Sequence, residues 1–110
     1  MLAFDAPPAH VAAAQRPATA IGIGEREYAI AVYRPTVRPG RLRLDVRNLG
    51  EDVHDLVVRR AGHTYAKLGT VKPGASSTLR LTLSRPGRYT LVCTIADHAA
   101  LGMHAILRVR

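Results

Sequence analysis

Hydrophobic and polar positions alternate along most of this chain, and the alternation predicts strands. Arg41-Leu-Arg-Leu-Asp-Val-Arg47 puts Leu42, Leu44 and Val46 on one face and charges on the other, as a strand does when one face meets a core and the other meets water. Ser77-Thr-Leu-Arg-Leu-Thr-Leu83 repeats the pattern. Segments 28–33, 53–58, 88–94 and 104–110 are short apolar runs rich in β-formers. Pro35, Pro39-Gly40, Asn48-Leu-Gly50, Pro73-Gly74 and Pro86-Gly87 break the runs apart. Some seven or eight strands at this spacing predict an all-β domain over 19–110, an antiparallel sandwich or barrel. Residues 1–18, rich in Ala and Pro and without a period, predict an irregular lead-in. Segment 96–102 is the one stretch near the end that does not read as a strand, and it lies between two that do.

Composition narrows the class. With 110 residues, 47% of them apolar, the chain makes one domain with one core. Sixteen Lys and Arg against eight Asp and Glu give a formal charge of +8. That balance suits an acidic protein partner, an anionic membrane surface or nucleic acid. Nucleic acid is disfavoured, because four Tyr and one Phe are few for base stacking and the arginines are scattered. No apolar run is long enough to span a membrane. Asp5, Pro7, Pro8 and His10 interrupt any signal-peptide core at the start. Cys93 stands alone, which excludes an internal disulfide.

The chemistry collects around that cysteine. Counting by twos back from Cys93 gives Leu91 and Tyr89, so the thiol points into the core at a strand end. His98 and Met103 follow at even intervals, Cys-x4-His-x4-Met. A strand end and a short loop can fold so that all three converge. Thiolate, imidazole and thioether together suit copper rather than magnesium, calcium or manganese, and suit zinc less, since zinc sites rarely use a thioether. A trigonal site needs a second imidazole. His54, early in an apolar strand after a turn, is better placed than His10, His63 or His104. Ala99, Ala100, Leu101 and Gly102 form a small apolar collar beside His98.

Asn48-Leu-Gly50-x3-His54-Asp55-Leu56, followed by Tyr89-x3-Cys93-Thr-Ile-Ala-Asp-His98-Ala-Ala-Leu-Gly-Met103, resembles the cupredoxins, the small blue-copper electron carriers. The resemblance covers roughly residues 20–110. It implies a Greek-key β-sandwich with one mononuclear type 1 copper near one end. In that pattern His54, Cys93 and His98 are equatorial ligands and Met103 is the weak axial one. Asn48, Asp55 and Thr94 would brace the site, with Thr94 facing the side chain at position 55. The family commonly has Asn at position 55 and Pro-Gly where this chain has Ala96-Asp97. The implied role is single-electron transfer to a redox protein, an acidic one if arginines rim the site. The implied protein is a non-enzymatic monomer, periplasmic or on the outer face of a membrane.

Other readings use the same residues. In a copper-free sandwich Cys93 would be inert core and the basic face would bind a partner. A copper delivery or storage protein would call for more exposed ligands. A thiol enzyme would pair Cys93 with His98 and leave His54 and Met103 without a role. Multicopper oxidases and reductases need additional histidine clusters that five His do not supply.

Overall fold

Nine strands form in the computed structural model, which describes residues 16–110; the lead-in expected over 1–18 therefore lies mostly outside the described residues. The strands are β1 (Thr19–Arg26), β2 (Ala29–Val32), β3 (Thr36–Val37), β4 (Gly40–Asn48), β5 (His54–Arg60), β6 (His63–Val71), β7 (Ser76–Leu83), β8 (Gly87–Val92) and β9 (His104–Val109). One sheet has the order β2-β1-β4-β7 and the other β3-β9-β8-β5-β6. Two sheets packed face to face with strands passing between them make a Greek-key sandwich.

Two features depart from a wholly antiparallel sandwich. β1 runs parallel to β4, with Ile21 beside Leu44 and Ile23 beside Val46, and β3 runs parallel to β9. Alternation fixes which face of a strand is buried, not the direction of its neighbour. β6, antiparallel to β5, opens at His63 in a segment that the sequence pattern did not single out as a strand. Arg60 pairs with His63, and the two-residue link Ala61-Gly62 has φ of 50° and 75°, the backbone of a tight hairpin turn that follows the strand twist.

The core is built from rows of alternate residues: Ile21 and Ile23 on β1; Leu42, Leu44 and Val46 on β4; Leu56 and Val58 on β5; Tyr89 and Leu91 on β8; Leu107 and Val109 on β9. Each such side chain contributes about 1.5–3 kcal/mol when fully buried. Extended by one more step toward the same end of the sandwich, these rows reach Glu25, Asn48, His54 and Cys93, all fully buried. Met103, two residues before Ala105 in the β9 row, is fully buried there as well. One pole of an apolar core thus ends in a polar, sulfur-bearing layer.

Candidate metal centre

Strand alternation delivers His54 and Cys93 to the same pole, and a coiled loop supplies the remaining groups. Between Cys93 and Met103 the backbone closes on itself: Cys93 N–H donates to Met103 O (3.1 Å), Met103 N–H to His98 O (3.0 Å) and His98 N–H to Ile95 O (3.0 Å). Ala96 takes the left-handed conformation, φ 44°, so the tight turn falls on Ala96 rather than on Asp97. Gly102, φ 128°, lies where any Cβ would strike the Tyr28 carbonyl at 2.7 Å, which fixes this position as glycine.

The geometry is that of a metal-binding triangle. His54 Nδ1 and His98 Nδ1 are 3.3 Å apart, and they lie 3.8 and 3.6 Å from Cys93 Sγ. The point equidistant from the three atoms is about 2.1 Å from each, a metal–nitrogen bond length and slightly less than a metal–thiolate one. All three residues are buried. Burial pushes the Cys93 thiol pKa up, against the backbone N–H groups of Asp55 and Ile95 that favour the thiolate. A cation at the centre of the triangle would reverse that balance, since a coordinating thiol is deprotonated outright.

Carboxylates face the outer side of both rings. Glu27 Oε1 lies 3.1 Å from His54 Nε2. With that nitrogen donating, Nδ1 keeps its lone pair toward Cys93. Asp52 Oδ2 is 3.5 Å from His98 Nε2. Glu27 also accepts from the N–H groups of Glu51 (3.0 Å) and Asp52 (2.7 Å). These bonds, then His54, hold its pKa down at about 2. A methyl at Gly50 would collide with this carboxylate. Asp55, on the other face of β5, accepts from Thr94 N–H at 2.6 Å and from Thr94 Oγ1, tying the first ligand strand to the residue after Cys93. Asn48 binds Asp52 O (2.7 Å) and Val71 O (2.9 Å) and accepts from Gly50 N–H (2.8 Å). It therefore shapes the loop leading to His54 and touches no ligand directly.

Glu25, Glu27 and Tyr28 escaped the sequence reading. Glu25 continues the inward row of Ile21 and Ile23, a signal that was there to be counted. It is fully buried and neither oxygen has a hydrogen-bond partner. Burial, then Asp55, raises its pKa to about 8, so it is neutral at pH 7. Glu27 and Tyr28 follow β1 without any pattern; the Tyr28 ring lies 5.3 Å from that of His98, tilted by 54°.

The rim is apolar and acidic. Leu101 is 50% exposed, and Tyr28, Leu49 and Val53 are partly exposed at the same pole. Glu27, Glu51, Asp52 and Asp97 surround them in the loops there. Of the sixteen cations, Arg26, Arg47 and Lys72 are the ones at this end of the strands. Among the described residues the cations do not outnumber the acids at this rim, despite the net charge of +8; total charge says nothing about which loops carry it.

No family model matches the chain, and no curated protein sequence does. Solved structures do. Dithionite-reduced auracyanin from Roseiflexus castenholzii aligns with a TM-score of 0.76 at 23% identity, over 84% of this chain and 98% of that one. Auracyanin A, a "blue" copper protein from Chloroflexus aurantiacus, aligns with a TM-score of 0.70 at 14% identity, over 86% and 100%. The copper-containing nitrite reductase of Thermus scotoductus aligns with a TM-score of 0.67 at 20% identity, over 87% of this chain but 32% of its own. The fold is that of the cupredoxins. Its buried donor set, His54, Cys93 and His98 with Met103 close by, fits a single type 1 copper ion.

Proposed function

We propose that this protein is a small blue copper protein that carries single electrons, with His54, Cys93 and His98 as equatorial ligands and Met103 as the axial one. The observation that carries the reading is the buried Nδ1–Sγ–Nδ1 triangle, already sized for a metal. Copper bound there would supply a one-electron couple, soft enough for thiolate and thioether in one oxidation state and accepting imidazole in the other. The chain's own residues keep the geometry fixed. Glu27 orients His54, Asp55 and Thr94 lock β5 to the ligand loop, and the loop bonds hold His98 against Cys93. A cage that does not rearrange keeps the cost of changing charge small.

His98 lies nearest the surface, behind the collar of Ala99, Ala100, Leu101 and Gly102, and we take it as the electron's exit. The acids round this rim favour a partner that presents cations to it, with an association rate that falls as salt rises. The closed, buried ligand set argues against copper delivery, and a donor set without an open position argues against an enzyme. Among the described residues there is no helix long and apolar enough to cross a membrane; a monomer in the periplasm or on an outer membrane face suits the reading. Voltammetry of the copper-loaded protein tests the proposal. One reversible one-electron wave is expected, and irreversible or ligand-dependent current would count against a carrier.

A further inference from the structure

Five arginines lie together at the pole opposite the metal centre. Arg16, Arg34, Arg38, Arg41 and Arg110 line a cleft of about 630 Å³. They come from five separate places: before β1, between β2 and β3, between β3 and β4, within β4, and after β9. Both sheets therefore contribute, at the ends of the strands opposite His54 and Cys93. Thr19 and Thr36 add hydroxyls, and among the described residues no acidic side chain lines the cleft. Among the described residues the one Arg–carboxylate pair is Arg43–Asp45, outside it. Arg41 donates Nε–H to the Arg16 carbonyl at 3.1 Å, which fixes one guanidinium and the chain entry together.

Five guanidiniums around one cleft, with no carboxylate side chain among the described residues that line it, repel one another, and a multivalent anion would offset that repulsion. Guanidinium forks match the oxygens of phosphate in paired hydrogen bonds, and threonine hydroxyls donate to the same oxygens. The cleft is in the size range of small-ligand sites and holds more than one phosphate. We propose that it is a binding site for clustered phosphate groups, carried by a free polyphosphate anion or by lipid headgroups. Either ligand would occupy the basic pole and leave the metal pole free to meet a redox partner.

The test titrates the full chain with inorganic tripolyphosphate near physiological salt, and separately mixes it with phosphatidylcholine vesicles with and without phosphatidylglycerol. Arg34→Glu/Arg38→Glu is compared with Lys67→Glu/Lys72→Glu, which makes the same charge change away from the cleft; Arg110→Glu is a second cleft variant should the first fold poorly. The cleft variants are expected to weaken binding about tenfold or more and the control pair less than about threefold. Tripolyphosphate binding without vesicle binding would support the site with a free anion as ligand; vesicle binding lost in the cleft variants would support it with lipid. Binding of neither probe, or equal loss in cleft and control variants, would overturn the proposal.

Discussion

Glu25→Gln should change how stability depends on pH, in a direction the structure dictates. The Glu25 carboxyl is fully buried with both oxygens unpartnered, and its pKa rises from 4.5 to about 8 on folding. The folded chain therefore holds this proton more tightly than the unfolded chain. Stability from the neutral form is complete below pH 4.5 and is lost as pH climbs toward 8. At about 1.36 kcal/mol per pKa unit the whole span is worth roughly 5 kcal/mol. Glutamine has nearly the same shape and no proton to lose. Urea unfolding of the copper-free protein should give similar stabilities for wild type and variant near pH 4.5. A gap of several kcal/mol in favour of the variant should have opened by pH 9. Every other side chain is the same in both proteins, so the pH dependence of the difference reports on Glu25. A gap that does not grow with pH would refute the neutral buried acid.

Other expected outcomes concern the site. Met103→Leu should keep the visible band of the copper-loaded protein and raise its potential, measured by voltammetry, because the weak axial donor is gone. Leu101→Glu should leave the spectrum unchanged and slow electron self-exchange, followed by NMR line broadening, since it puts charge on the collar beside His98. Glu27→Ala removes the acceptor that orients His54 and two loop N–H groups; copper affinity in a competition titration should fall about tenfold or more. Gly50→Ala should mimic it by displacing the same carboxylate.

Local patterning made much of this legible. Strict alternation in β4 and β7 set their buried faces, and the same period placed Cys93 and Tyr89 together. The candidate ligand set came from the resemblance carried by His54-Asp55 and Cys93-x4-His98-x4-Met103; alternation by itself told only that Cys93 faces inward. The parallel pairing of β1 with β4 could not be read, because register and direction come from how the sheets close over the core. Glu27 and Asp52 reach the rings from loops brought together by folding, and no period announces them. The arginines look scattered in the chain because the five that share a cleft come from five separate connections and strands. Net charge gives no hint of this distribution: Glu27, Glu51, Asp52 and Asp97 share the metal end with three cations, while five arginines line one cleft at the far pole.

The central claim is that His54, Cys93 and His98 hold one copper through a thiolate. Titrating the copper-free protein with copper(II) while recording the visible spectrum tests it most directly. One equivalent should produce an intense thiolate-to-copper band that Cys93→Ser abolishes. A protein that stays colourless, or a band that survives Cys93→Ser, would contradict it.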